Sequence, residues 1–517
     1  MAPIEKDWRQ FLHIVEIFLF LQPEKNSTIT ISINRFIFNQ MKIKNLLSAG
    51  AIAALALFCF SASAGNIDAN AARMAAKNFI NQHAGAQGRF KATANADIKL
   101  THTEVSSVEG NAYYVFNIQG GGWVIVAGDD RAKQVLAYNT EGSIDMNNLP
   151  APTKGYLNMF KAQIETMQNY KGEVVPLKAP KRRTPIGPLM KTNWAQGNPF
   201  NRQCPQHYSQ EDYTYDYSSV GCAGLSMAQI LYYWQYPKEL PALSSYTNTY
   251  YQTMEPALPA RSIDYDLIAD QYTTWTESGS LAWMPGITDE QKQEVAWLCR
   301  YAAQSCEMNF SPDGSGSNVS KQKNGFLKMG FSSEAKLLGL EAWPARETWN
   351  TEDYTDEEWV NLIDAQLEDH HPIPYSSEDF TDGHAFVIDG VDADGLYHVN
   401  WGWYGRCDGY FQYGAFNVAP QGTTFYFNNS LFMVVDLYPY EGYVSPNDPG
   451  STEPQFQRGD VNDNGDININ DVTILINYLL SKDATGINLD AADCNQDNNV
   501  TISDVTALIN YLLSKQW

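Results

Sequence analysis

A chain of 517 residues is long enough for two to four domains. Hydrophobic residues make up 44% of it and aromatic residues 13%, a composition that builds buried cores. A formal net charge of -24 speaks against a nucleic-acid partner, which would need a basic surface.

The first apolar stretch, residues 11–21, is broken by His13 and Glu16 and is too short to span a bilayer. A better-formed segment follows. Met41-Lys42-Ile43-Lys44-Asn45 is a basic start, residues 46–60 are apolar, and Ser61-Ala62-Ser63-Ala64 offers small residues for cleavage. The expectation is a signal peptide over 41–64, with residues 1–40 a start-site overcall. The product would be secreted, extracellular or cell-surface associated, without stable membrane insertion after cleavage. Phe58 is too bulky a neighbour for lipid attachment at Cys59.

Residues 65–183 read as a separate small domain. An amphipathic helix is expected over 71–83 and a hairpin from 111–118 and 122–128 around a Gly-rich turn. A second helix is expected over 157–170. The basic run Lys178-Ala179-Pro180-Lys181-Arg182-Arg183 then forms an exposed, proline-containing linker, where proteolytic nicking concentrates.

The central region, 184–440, carries helical signals first, at 222–234 and 289–308. Strand signals come later, at 382–390, 396–403, 410–413 and 430–437. Helices followed by an antiparallel sheet make an α+β arrangement. Gly221 can turn the backbone tightly into the helix that opens at Cys222. The thiol then meets unpaired backbone N–H groups and the positive dipole end, which favour a thiolate. A small buried hydrophobe is the ordinary role of a free cysteine, but two further residues fit nucleophilic chemistry. His384 opens one strand and Asn400 closes the next, with a turn at Val391-Asp392-Ala393-Asp394-Gly395. A cysteine at a helix start, a histidine to share its proton and an amide to hold the ring are what a thiol hydrolase requires. His384 lies about 160 residues beyond Cys222, against roughly 130–150 in papain-like enzymes.

Val220-Gly221-Cys222, Ala228-Gln229-Ile230, Gly383-His384-Ala385-Phe386-Val387-Ile388-Asp389-Gly390 and His398-Val399-Asn400-Trp401-Gly402-Trp403 together resemble the streptopain-type secreted bacterial cysteine proteases. Asn193-Trp194-Ala195-Gln196-Gly197 adds the position of that family's oxyanion glutamine. The resemblance implies a papain-like α+β fold preceded by an inhibitory α+β propeptide over 65–183. It makes Cys222 the nucleophile, His384 its proton partner and Gln196 an oxyanion donor. Asn400 is the expected orienter of His384, with Trp401 shielding their hydrogen bond. It also implies a bulky hydrophobic residue two positions before the scissile bond. Two stretches depart from the family: Ala223-Gly224-Leu225-Ser226 after the cysteine, and the late loop Pro420-Gln421-Gly422-Thr423-Thr424-Phe425-Tyr426-Phe427.

The remaining histidines suit structural roles. His370-His371 looks like a helix end, where the dipole favours histidine. His398 suits packing or hydrogen bonding, and His207 with Cys204 is too small a set for zinc. Six cysteines follow the signal segment, and a chain of this size needs no staple, so no essential disulfide is expected.

Residues 441–458, rich in Pro, Ser, Gly and Glu, read as a linker. Beyond them a unit repeats with a period of about 33 residues. Asp460, Asn462, Asn464, Asp466, Asn468 and Asp471 stand at calcium-loop spacing in the first copy. Asp493, Asn495, Asp497, Asn499, Thr501 and Asp504 do so in the second. Position six is Gly465 in one loop and Asn498 in the other, both tolerant of positive φ. The pattern resembles a type I dockerin over 459–517, a small all-α module. It implies structural Ca²⁺ and a cohesin-like partner met through the repeated helices.

The combined expectation is a secreted zymogen of a cysteine endopeptidase acting on proteins or peptides, without a catalytic cofactor. Two rivals remain: an acyl transferase of the same Cys-His chemistry, and a non-catalytic Ca²⁺-dependent adhesin or scaffold component on a degenerate protease fold.

Overall fold

The computed structural model describes residues 65–83, 97–176, 184–276, 280–340, 354–378, 383–415, 418–420, 430–440 and 442–448, and, towards the C-terminus, 458–462, 467–481, 487, 489–495 and 500–514. The expected signal peptide, the basic run at 178–183 and the departing late loop from 421 onward lie outside these residues.

The first part opens with helix α1 (Ala69–His83), whose Ala72, Ala75, Ala76, Phe79 and Ile80 face inward at helical spacing. Four strands follow: β1 (Ile98–Val105), β2 (Asn111–Ile118), β3 (Trp123–Ala127) and β4 (Val135–Asn139). Helix α2 (Ala151–Asn169) then begins directly after Pro150, a residue that cannot continue a helix backwards but suits its start. Strand β5 (Val174–Pro176) closes this part.

The central part places α3 (Cys222–Trp234), α4 (Asp289–Ser305) and α5 (Val319–Lys328) before all the strands it gives to the main sheet; short two-stranded ribbons lie between 206 and 283. Thr288 and Gln291 form a reciprocal capping box that starts α4 where the sequence places it. Strand β6 (Lys336–Leu340), helix α6 (Asp356–Glu368), and strands β7 (Ile373–Glu378), β8 (Gly383–Val391), β9 (Tyr397–Asn400) and β10 (Gly409–Phe411) follow. Strands β11 (Val418–Pro420) and β12 (Ser430–Val435) complete it. This is the expected α+β arrangement.

The first part is less separate than the sequence indicates. Among the described residues, ten strands form one sheet in the order β1-β2-β3-β4-β10-β9-β8-β7-β12-β6. The junction is antiparallel, with Tyr410 opposite Tyr138 and Phe411 opposite Ala137. The two tyrosine rings stack at 5.1 Å. Tyr138 also donates from its hydroxyl to Asp392 at 2.8 Å, and His83 meets Asp394 at 2.7 Å. One apolar core includes Trp123, Leu157 and Phe160 from the first part and Leu225, Phe386 and Trp401 from the second. An unpaired sheet edge and an apolar face on each part explain the merger, because each covers what the other leaves open.

The expected linker at 441–458 also needs correction. Residues 442–448 pack against the end of α3 and bond three of its last carbonyls, of which Tyr232 O also accepts from Gln235 N at 3.1 Å. Asn447 donates to Tyr232 O at 2.9 Å, Tyr443 donates from its hydroxyl to Trp234 O at 2.9 Å, and the Ser445 hydroxyl donates to Tyr233 O. Residues 449–457 lie outside the described residues.

The C-terminal repeats form their own small core of Val461, Val472, Leu475, Ala492, Cys494, Val505 and Leu508. Helices α7 (Ile469–Ser481) and α8 (Ile502–Ser514) occupy matching places in the two copies. Ile469 and Leu480 on one helix, and Ile502 and Leu513 on the other, remain exposed.

If residues 442–448 cap α3, Ser445→Ala and Tyr443→Phe should each lower the stability of the central part by about 1–3 kcal/mol, the cost of orphaning a buried carbonyl. Urea unfolding followed by tryptophan fluorescence measures this. Unchanged midpoints for both variants would return the segment to a passive linker.

Candidate active site

Gly221 precedes α3 with φ +80, a conformation that side chains rarely adopt. A Cβ there would meet Met308 Sδ at 2.5 Å. The tight turn delivers Cys222 as the first residue of α3. Gly224, one of the departures from the family pattern, lets α3 approach α4 closely, since a Cβ would lie 2.9 Å from Ala303 Cα. The departure is thus a packing solution that leaves the cysteine in place.

The Cys222 sulfur lies against His384 at the start of β8 and accepts hydrogen bonds from His384 and from the backbone N–H groups of Ala385 and Ala223. Burial pushes the thiol up. The positive charge of His384 and these donors outweigh it, so the pKa falls below the ordinary thiol value. The other five cysteines after residue 64 are buried thiols, and burial pushes Cys204, Cys306 and Cys407 up to about 12. The contrast singles out Cys222.

Both residues line a cleft of about 970 Å³, together with Gln196. Gln196 is held by its backbone, whose carbonyl accepts from Val220 N at 3.0 Å. A bridge between Ala195 and Trp403 fixes the neighbouring residue. Cys222, His384 and Gln196 are thus brought to one cleft. Ala151, the first residue of α2, lines the same cleft, so the N-terminal part reaches it.

Asn400 does not converge on His384. In the β8–β9 ladder Asn400 stands opposite Val387. Side chains alternate along a strand, so Asn400 shares the face of Val387 and Ala385, whereas His384 and Phe386 point to the other face. Its amide donates to Thr192 O at 2.7 Å and its oxygen accepts from Gly402 N at 3.0 Å. Asn400 thereby ties down the segment that carries Gln196. His384 Nε2 is buried and has no hydrogen-bond partner among the described residues. Trp401 is on the His384 face, packed on Phe386 at 4.8 Å and on Tyr156 of α2 at 5.6 Å, but it shields no Asn400–His384 bond. Trp403, two residues on, is the tryptophan that lines the cleft.

The sequence also passed over Ser376, Tyr250 and the loop at 312–319, all in the cleft wall. Trp403 stood in a quoted motif and could have been found; the others lie far from any motif. The histidines with structural expectations have structural partners. His370 meets Asp448 at 2.6 Å, His398 meets Asp389 at 2.6 Å, and His207 stacks on Tyr251 beside Glu255.

Of the twelve calcium-ligand candidates, Asn464, Asp466, Asp497 and Asn499 lie outside the described residues. Among the described residues no group of three or more His, Cys, Asp or Glu could hold a metal ion. The Asp471 carboxylate accepts from Val461 N and Asn468 N, both at 2.9 Å. Asp504 accepts from Asn495 N at 3.0 Å and Thr501 N at 2.7 Å.

Residues 194–411 match the Peptidase C10 family, residues 64–164 the Spi protease inhibitor, and residues 458–513 the Dockerin type I domain. The central part thus matches a family of cysteine peptidases. Streptopain of Streptococcus pyogenes is 29% identical over 344 residues, which span 63% of this chain and 80% of streptopain. The thiol protease/hemagglutinin PrtT of Porphyromonas gingivalis is 26% identical, over 70% of this chain and 40% of PrtT. Among solved structures, a prointerpain A fragment of Prevotella intermedia aligns at 24% identity and TM-score 0.48, covering 66% of this chain and 98% of the fragment. Active interpain A from the same organism aligns at 26% identity and TM-score 0.38, covering 51% of this chain and 99% of interpain A.

The Cys222 thiolate should persist below the ordinary thiol range and disappear as pH falls through its depressed pKa. Iodoacetamide alkylation of the processed chain, followed against pH, reads this. His384→Ala should move the alkylation midpoint upward, whereas Asn400→Ala should leave it in place while lowering the melting temperature. A midpoint that moves equally in both variants would restore Asn400 to His384.

Proposed function

We propose that the chain is a secreted cysteine endopeptidase made as a zymogen, with Cys222 and His384 as a thiolate–imidazolium pair. The observation that carries this is the Cys222 sulfur held at a helix start by His384 and two backbone N–H groups. Cys222 attacks the peptide carbonyl, and His384 passes its proton to the leaving amine. The side chain of Gln196 and the N–H of Cys222 donate to the tetrahedral oxyanion, and loss of one such donor costs about 10²–10³ in turnover. Asn400 keeps Gln196 in position through Thr192. Water then releases the acyl group.

Residues 65–183 act as the propeptide. Their strand β4 completes the catalytic sheet, and the first residue of α2 stands in the cleft. Cleavage within 178–183 would free the cleft, leaving 184–440 as the catalytic part. The covered cleft favours this reading over the acyl-transferase rival, and the intact Cys222, His384 and Gln196 favour it over a degenerate scaffold.

Residues 459–517 form the dockerin. Among the described residues Asn462 Oδ1 is buried without a partner, and each carboxylate oxygen of Asp471 accepts one backbone N–H, which leaves it a further lone pair. These oxygens fit a hard cation. Asp460, Asn462, Asn464, Asp466, Asn468 and Asp471 would hold one Ca²⁺, and Asp493, Asn495, Asp497, Asn499, Thr501 and Asp504 the other. Bound Ca²⁺ supplies charge neutralisation that lets the acidic loops fold. The exposed Ile469, Leu480, Ile502 and Leu513 offer a repeated face to a cohesin-like receptor. Among the described residues no helix is long and apolar enough to cross a membrane.

A thiol-directed epoxide should label the processed protein once, at Cys222, by intact mass and peptide mapping. Cys222→Ala should lose the label, casein cleavage and self-processing together; casein cleavage that survives it sinks the mechanism. Removal of Ca²⁺ with EGTA should unfold the C-terminal repeats, seen as loss of amide protection at 459–514, while casein cleavage continues. Protection unchanged by EGTA would remove calcium from the reading.

A further inference from the structure

Two residues of the cleft wall carry a buried side-chain atom without a hydrogen-bond partner among the described residues: His384 at Nε2 and Ser376 at Oγ. The histidine belongs to the pair already described. The serine has no place in that chemistry.

Ser376 lies on β7, between Ala385 of β8 on one side and Phe432 of β12 on the other. Opposed residues in an antiparallel ladder share a face. The Ser376 side chain is therefore on the face of Ala385, whose N–H supports the Cys222 sulfur. Neighbouring strands are about 4.8 Å apart, so the hydroxyl sits on the cleft floor one strand over from the nucleophile's support. Only 3% of Ser376 is exposed.

The other serine hydroxyls of this wall are occupied. Ser315 donates to Ser219 O at 2.7 Å, and Ser219 Oγ accepts from Ser315 N at 2.9 Å. An unmade bond on a buried hydroxyl is unfavourable, and it is made good when a ligand brings the partner. The neighbours matter too. Ala223 and Ala385 line the same cleft and contribute only methyl groups, so a short polar side chain can reach the hydroxyl.

Resting on the peptidase reading above, we propose that Ser376 is a specificity-determining residue whose hydroxyl bonds a polar side chain of the substrate. The residue seated over Ala385 is then one that bears a hydroxyl or an amide, such as Ser, Thr or Asn. A valine there has the shape of threonine but leaves the Ser376 hydroxyl buried and unpaired. A site built around a hydrogen bond rejects the analogue that lacks it more strongly than an apolar pocket rejects a small change in size. This differs from the bulky hydrophobic residue that the family resemblance implies.

The test uses the full chain after self-processing and fluorogenic peptides that carry Thr or Val at each of three positions on either side of the scissile bond in turn. The parent enzyme should favour Thr over Val in kcat/KM by about tenfold or more at one of these positions. In Ser376→Ala that ratio should fall to about one there, with the other positions unchanged and the thermal midpoint no lower than the parent's. Equal use of Thr and Val at every position by the parent would overturn the inference. So would a ratio that survives Ser376→Ala, or a midpoint several degrees lower, which would give the hydroxyl a structural bond. These results leave the peptidase reading standing. Failure of the parent to cleave any peptide, or cleavage that does not need Cys222, overturns both.

Discussion

The arrangement depends on one sulfur atom held between a helix start and a strand. Cys222 meets the N–H of Ala223 on its own helix and the N–H of Ala385 and the ring of His384 on β8. Neither element supplies enough alone. A helix terminus stabilises negative charge modestly, and a buried thiol left to itself is pushed towards protonation, as Cys204 and Cys306 show. The contact between α3 and β8 reverses the sign for Cys222.

Holding that contact requires rigid support behind both elements. Gly224 lets α3 lie close to α4. Its far end is closed by residues 443–447, which arrive from beyond the last strand of the sheet and take up three of its carbonyls. On the other side, β8 is an inner strand, paired by β7 and β9. An inner strand cannot slip without breaking two ladders, so His384 inherits its position from the whole sheet.

The N-terminal part enters this support directly. Its β4 extends the sheet at β10, and Tyr156 of α2 packs on Trp401 beneath the His384 face. A part that merely plugged a cleft would not need this. Joining the sheet buries an edge that the catalytic part otherwise exposes. The same docking brings Ala151 to the cleft wall, so one geometry both extends the sheet and reaches the cleft.

Much of this was written locally in the chain. The helix at 222–234, the hairpins at 111–127 and 383–400, the calcium-loop spacing and the candidacy of Cys222 and His384 follow from periodicity, turn residues and motif spacing, because these depend on near neighbours; Gln196 was marked only by the family resemblance. Asn400 shows where local reasoning stops. Its place in a motif after a histidine strand implied contact with His384, but the register of β8 against β9 puts the two side chains on opposite faces of the sheet. Residues 442–448 look like a linker by composition, and only their distant partners at the end of α3 make them part of the core. The union of the two sheets and the open hydroxyl of Ser376 are likewise invisible in sequence. The strand order joins residues hundreds of positions apart, such as Tyr138 and Tyr410, and the register of β8 against β9 shifts at Ile388–Gly390, an irregularity that simple alternation does not encode.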